Sequence, residues 1–371
     1  MFFDAVICGA GAVGLSVARE LSLLKLSVLV LEKNSLVGSE TSSRSSEVIH
    51  AGIYYKNGSQ KHVHCVRGRK LLYKYLAEKN IDFIKCGKLI VACSNEEISE
   101  LHNIYQIGSN NDVEDLTFLS RSKLFSMEPE LSCVEGFISK QTGVFDSHNF
   151  IKSLEHDILS NDGLVVCRHE VIDVIDEGKG FKISIAGMEE EPIFTSRFIN
   201  CAGLHSIKVM QACRSINFVD SFYYKFAKGS YFSLSGPSPF QRLIYPIPEV
   251  GGLGIHSTID FSGKTKFGPN VEWSDLNASD LDENYIVRTD YKDQFVTKIK
   301  KYWNNISADR LHPDYAGFRP KLYINGNLSD DFVIFFSTSD SGKSSVHLLG
   351  IESPGLTACL SLGLDIAQNI A

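Results

Sequence analysis

Gly9, Gly11 and Gly14 stand in the spacing Gly-X-Gly-X-X-Gly, between the apolar run Asp4–Cys8 and the amphipathic run Leu15–Lys25. Glu32 closes the next apolar run, Ser27–Glu32, 18 residues past Gly14. Residues of these types at these distances are suited to holding a dinucleotide. The first glycine allows a tight turn, the second lets the backbone approach a pyrophosphate, and the third lets a helix lie close to a strand. The helix then aims its positive end at the phosphates. The Glu32 carboxylate suits a ribose diol as a hydrogen-bond acceptor and repels a 2′-phosphate, which argues against NADP. Just beyond lies TSSRSSEVIHAGIYY, Thr41 to Tyr55. A surface loop would account for its Ser and Thr. It would not account for Val48–Tyr54, which reads as partly buried chain.

These residues need a strand, a tight turn, a helix and a second strand to position them, and the first 32 residues supply one such βαβ unit. Helices are expected over 60–80, 95–110, 121–126, 149–160, 280–304 and 356–370. A strand or hairpin is expected over 82–92, and strands over 164–175, 193–201 and 332–336, with a hairpin from the 164–175 strand to about 186. Residues 222–276 alternate between turn signals as an antiparallel sheet does. A plain NAD-binding domain would continue as parallel strands alternating with helices. Here the polar 41–55 stretch interrupts and antiparallel segments follow, which points to FAD, whose isoalloxazine needs a second region to cradle it. The expected fold is α/β plus antiparallel sheet, a Rossmann-like FAD-binding domain with an inserted substrate-binding domain of mixed sheet and helices. Residues 1–81, 140–215 and 320–371 are assigned to the first domain and 82–139 and 216–319 to the second.

Composition narrows the partners. The 371 residues are 43% hydrophobic and 22% charged with a net charge of −7, and basic residues form no long run. Duplex nucleic acid is therefore not an expected partner. The nine cysteines are scattered and odd in number, with no CxxC pair, which favours a reducing compartment over a disulfide framework and gives no metal constellation. The N-terminus has no basic segment ahead of an apolar one, and no apolar run reaches membrane-spanning length. A cytoplasmic location is expected, with peripheral contact at the inner face of a membrane left open.

The segments SEVIHAGIYYK, CGKLIVA, CAGLHS, YPIPEVGGLGIHSTID, KFGPN, AGFRPKL and GIESPGLTA, in this order, resemble the L-2-hydroxyglutarate dehydrogenase (oxidase) group. That group lies within the D-amino-acid oxidase/glycerol-3-phosphate dehydrogenase superfamily. The resemblance covers nearly the whole chain. Glu47 departs from a common small residue, and Phe226–Tyr231 replaces an Arg-Gly version found in some members. The resemblance implies FAD held by Gly9, Gly11, Gly14, Glu32 and Lys33. It adds Thr41, Ser42 and Ser43 at the pyrophosphate, and His50, Ala51 and Gly52 along the ring. Val171 is implied at the adenine and Cys201, Ala202 and Gly203 as a further contact. Gly355, Leu356 and Thr357 open the last helix toward the flavin.

Oxidising an alcohol through a flavin requires a base for the hydroxyl proton and a clamp for the carboxylate. By resemblance Arg319 anchors the carboxylate, as a guanidinium can do bidentately, and Tyr245 adds a hydroxyl. His256 is the expected base, because alternation sets it with Gly254 and against Leu253 and Ile255. His347 is expected to hold substrate and His50 to position flavin. The leading expectation is an FAD-dependent dehydrogenase taking L-2-hydroxyglutarate to 2-oxoglutarate. A glycine or sarcosine oxidase-like enzyme and a glycerol-3-phosphate dehydrogenase-like enzyme are the alternatives. A flavin-binding assembly protein without catalysis is a rival from another class. Related sarcosine oxidases carry a Lys at the position of Gly252, associated with oxygen use. Its replacement favours a quinone or other carrier as electron acceptor.

Overall fold

The structure is a computed structural model that describes residues 1–214, 221–248, 254–274, 277–281, 284–338 and 342–370. Two large sheets dominate it. The first has a parallel core in the order Leu164–Cys167, Val28–Glu32, Phe2–Cys8, Ile193–Asn200, Ser344–Leu349. Antiparallel strands Val171–Asp176, Phe181–Ile185 and Val333–Thr338 complete its eight members. The central strands are near-continuous apolar runs, Ala5–Ile7 and Val28–Leu31, because both faces are covered. Helices Ala12–Leu23, Gln60–Glu78, Ser147–Leu159 and Gly355–Ile370 pack one face, joined in a core that includes Leu15, Leu72, Phe150 and Ile366.

The second sheet has ten strands from two separate stretches of chain. Lys88–Ala92, Leu116–Leu119 and Glu135–Ser139 come from the first, and the others lie between Phe222 and Leu328. Lys88–Ala92 joins the stretches by pairing in parallel with Leu243–Pro246. Two long strands, Phe222–Leu234 and Leu311–Ile324, form its antiparallel backbone. A three-stranded sheet of Val48–Ile49, Phe83–Ile84 and Gly143–Phe145 lies apart from both.

Three expectations need correction. The helix expected over 280–304 is one of eight residues, Lys292–Ile299, preceded by a 3₁₀ turn. The chain must turn after Ile299 to bury Tyr302 and Trp303, and the Tyr302 carbonyl accepts from the Ser132 amide at 2.7 Å. The strand expected over 164–175 breaks at Arg168, whose φ is +63°, as Arg168 and His169 donate backbone N–H groups to the Asn34 and Glu32 carbonyls. The boundary expected between 319 and 320 cuts through Leu311–Ile324, which runs unbroken in the second sheet.

Candidate functional site

One extended cavity runs from the carboxyl ends of the first sheet's parallel strands to the face of the second sheet. It encloses about 1920 Å³ counted out to its open mouth. Ligands of open α/β sheets bind at this end of the strands.

At one end the turn after the first strand forms the wall. Gly9 has φ +104°, and a β-carbon there would lie 2.5 Å from the Cys201 carbonyl oxygen. A β-carbon at Gly14 would lie 2.0 Å from the Gly9 carbonyl oxygen. Gly14 therefore does not line the cavity; it seats the helix against the turn. Gly11, Cys201, Ala202 and Gly203 do line it. Glu32 is buried beneath, accepting the Ala10 and Asn34 N–H groups at 2.8 Å each. These bonds tie the glycine turn to the second strand and leave carboxylate lone pairs facing the cavity. Val171 lines the same end.

Of a cluster beside it, sequence reading named Lys33 and missed Glu40 and His205. Lys33 contacts Glu40 at 2.6 Å and His205 at 2.9 Å, and all three line the cavity. Burial alone would raise the Glu40 carboxyl, but the contacts from His205 and Lys33 prevail and hold it at about 2. Contacts between 33, 40 and 205 cross from one strand end to another and leave no local pattern.

The Thr41–Tyr55 stretch divides into parts. Thr41 lines the cavity. Ser42 lines it too, but its Oγ accepts the Ala12 N–H at 3.0 Å at the start of the first helix. The Ser43 Oγ donates to the Ser39 and Glu40 carbonyls at 2.8 and 3.0 Å and turns inside the loop. Arg44, Ser45 and Ser46 add to the lining. His50 lines the cavity, with its N–H on the Thr357 Oγ1 at 3.1 Å and its Nε2 3.3 Å from the Ser353 Oγ. Thr357 in turn donates to the Val48 carbonyl at 3.2 Å. The stretch is thus fastened to the N-terminus of the last helix, where Gly355, Leu356 and Thr357 reach the cavity. That helix end favours an anionic ligand. Ala51 and Gly52 do not line the cavity. Their carbonyls accept from Arg69 at 3.4 Å and Asn111 at 3.0 Å, so they pack toward the long helix, Gln60–Glu78, and the end of helix Ile98–Asn110.

The other end is walled by the second sheet. Tyr245 on Leu243–Pro246 faces His256 on the adjacent antiparallel strand, because Ile244 pairs with Ser257. Their rings stack at 3.8 Å with an interplanar angle of 19°. His256 begins its strand, and Gly254 before it has φ +75°. The orientation of His256 thus comes from a turn and a cross-strand pair, not from the expected alternation; Gly252 and Leu253 lie outside the described residues. The His256 Nδ1 lies 3.1 Å from the Gly254 carbonyl oxygen, which can only accept. Nδ1 therefore carries the hydrogen and Nε2 keeps a lone pair. Nε2 and the Tyr245 hydroxyl are both buried without a hydrogen-bond partner.

Burial lowers the His256 imidazole to about 3, with the Lys88 and Arg319 cations adding to it and a bond to Gly254 opposing. Burial, with Lys88 and His256, also lowers His50 well below its ordinary value. Arg319 reaches the cavity from Leu311–Ile324 and donates from Nη2 to the Asn270 carbonyl at 3.0 Å. Gly229, opposite Gly317 on the neighbouring strand, is needed, since a β-carbon there would lie 2.7 Å from the Pro269 Cβ and 3.3 Å from that Nη2. His347 departs from expectation. It is fully buried in the first sheet, with Nδ1 3.1 Å from the Asn200 Nδ2, and does not line the cavity.

The two ends fit the flavin dinucleotide expected from the sequence. A glycine cradle that tolerates no β-carbon at Gly9 or Gly14, a buried carboxylate and a helix N-terminus share one cavity with orphaned buried polar atoms at the far wall. Comparisons with known proteins agree. The pattern of the family described as FAD dependent oxidoreductase matches residues 4–369. The L-2-hydroxyglutarate dehydrogenase, mitochondrial, of Arabidopsis thaliana is 38% identical, covering 99% of this chain and 83% of that protein. The Homo sapiens protein of the same name is 30% identical over 99% and 88%. Among solved structures, the dithionite-reduced L-alpha-glycerophosphate oxidase of Mycoplasma pneumoniae with FAD bound superposes with a TM-score of 0.87. It is 23% identical and covers 100% of this chain and 96% of that one.

Proposed function

The chain belongs to the FAD-dependent oxidoreductases, within the L-2-hydroxyglutarate dehydrogenase group, and from that premise we propose that it oxidises L-2-hydroxyglutarate to 2-oxoglutarate. The observation that carries the reading is the convergence of Arg319, Tyr245 and His256 from separate strands on one cavity with the dinucleotide cradle. Gly9, Gly11, Glu32, Thr41, Val171, Cys201–Gly203 and Gly355–Thr357 hold FAD, and Gly14 and Ser42 shape its cradle. Bound FAD supplies the acceptor for the two electrons and the hydrogen that leave C2 of the substrate.

The chain's own residues do the rest. Arg319 fixes the C1 carboxylate, with fork donors left beyond the one on Asn270. Tyr245, with a free hydroxyl on a ring locked against His256, adds a donor to the same end. His256 accepts the hydroxyl proton at Nε2. In the resting protein its basicity is low, and a bound anion beside it raises it, since an opposite charge favours the imidazolium. Gly252, outside the described residues, supports a quinone or other carrier as the acceptor. Among the described residues no helix is long and apolar enough to cross a membrane.

Anaerobic mixing tests the reading. L-2-hydroxyglutarate should bleach the flavin absorbance, and the D-enantiomer, glycine, sarcosine and glycerol 3-phosphate should not. Arg319→Lys keeps the charge but loses the fork, so the bleaching should demand far higher substrate concentration. Bleaching by glycerol 3-phosphate or glycine in place of the hydroxy acid would reassign the substrate.

A further inference from the structure

Lys88 has no part in the mechanism above, yet it sits against it. It is 1% exposed, on the strand Lys88–Ala92, which pairs in parallel with Leu243–Pro246 so that Lys88 lies opposite Leu243. Tyr245 is two residues further along that neighbour and shares its face; His256 lies opposite Tyr245 on the next strand. Lys88, Tyr245 and His256 thus form a diagonal row on one face of three adjoining strands. The ammonium is 3.9 Å from the centre of the Tyr245 ring and 5.7 Å from that of Tyr54. The Tyr54 and Tyr245 hydroxyls and the His256 Nε2 are all buried without hydrogen-bond partners.

The groups that bear on Lys88 are Cys65 from the long helix, Cys86 from the preceding turn, Tyr54, Tyr245 and the imidazoles of His50 and His256. Arg319 bears on His256 from another strand. No carboxylate lies within ion-pair distance of Lys88 among the described residues. A buried cation so placed interacts with both candidate proton acceptors and is compensated by neither.

We propose that Lys88 is a positioning residue that takes the first proton entering the substrate-free pocket on its own ammonium, and so leaves the His50 and His256 imidazoles neutral and able to accept one from the substrate. Several basic groups in one desolvated pocket titrate as a unit, and the first proton taken opposes the next. Burial lowers Lys88 only to about 7, whereas His256 falls to about 3. The proton therefore goes to the lysine first. Below about pH 7 its charge adds to burial, the larger effect, in keeping both imidazoles neutral; above that, the pH itself does. The inference rests on the proposed roles of these histidines, but its test reads their titration directly and so stands or falls separately.

The experiment is NMR titration of the flavin-free protein with labelled lysine and histidine side chains. In the parent, the Lys88 ε-amine should titrate near neutrality and neither imidazole between pH 5 and 8. In Lys88→Met, which fills the same apolar space without charge, at least one imidazole should titrate about one pH unit or more higher. Lys88→Arg, which keeps the charge, should behave as the parent. Identical imidazole titrations in parent and Met variant overturn the proposal. So does a parent Lys88 that titrates near its ordinary value, a result that needs no variant to fold.

Discussion

His256 shows how burial changes what a residue type suggests. A histidine invites the expectation of a titration near neutrality. Here the ring is 2% exposed, stacked on Tyr245 and set near two cations, and it stays neutral far into acid. A depressed value means that the proton-accepting form is present at every working pH above about 3. His256→Gln should lower the rate of flavin reduction by about 10²–10⁴-fold, the contribution of a positioned base, with FAD content unchanged. The parent's rate should show no rise through pH 6–7 assignable to this ring. Stopped-flow reduction at several pH values measures both. A Gln variant with the parent's rate would move the proton to His50, another imidazole that lines the cavity.

At the scale of elements, the strand–turn–helix at the N-terminus separates two kinds of glycine. A β-carbon at Gly14 collides with the Gly9 backbone, whereas one at Gly11 meets only the Ser42 Oγ at 3.3 Å. Gly14→Ala should therefore destabilise even the flavin-free protein, by on the order of 1–3 kcal/mol as overpacking does. Gly11→Ala should leave the flavin-free melting temperature near the parent's and weaken FAD binding, because it fills the cradle. Thermal melts with and without FAD distinguish the two. Equal melting temperatures for both flavin-free variants would mean that the turn relaxes around Gly14.

At the scale of the whole molecule, the two large sheets are joined through Glu352, on the loop before the last helix. It accepts from Lys61 on the long helix at 3.0 Å and from Lys321 on the second sheet at 2.7 Å. Burial would raise the Glu352 carboxyl, but the Lys61 and Lys321 charges bring it below its ordinary value. Its stabilising effect is therefore full above about pH 4.5 and is lost as pH falls below that. Glu352→Gln should cost about 2 kcal/mol or more at pH 7. That is less than the about 3–5 kcal/mol of a fully buried pair, because both lysines reach solvent. The gap between parent and variant in melting temperature should narrow below pH 4.5. A gap that stays constant would show that the glutamate acts by shape and not by charge.

What the sequence determined by itself was local or carried by ordered motifs. Gly9–Gly14 and Glu32 were legible because the turn, the helix start and the strand end lie within one βαβ unit, where spacing sets geometry. Arg319, Tyr245 and His256 were legible because they sit in runs that resemble a known group, and the cavity gathers all three. Only the tertiary structure decided the rest. His347 reads like the other candidates in sequence, but the parallel pairing of Asn200 with His347 buries it in the first sheet. Lys88 gave no signal, since a lysine in an apolar strand reads as an edge charge. It became prominent only when pairing between residues about 155 apart set it against the Tyr245 ring. Ala51 and Gly52 sit beside His50 in the chain yet turn to the opposite side of the segment. Register and long-range pairing choose which face of a strand meets the cavity, and those choices follow from the packing of distant elements, which no local run of residues encodes.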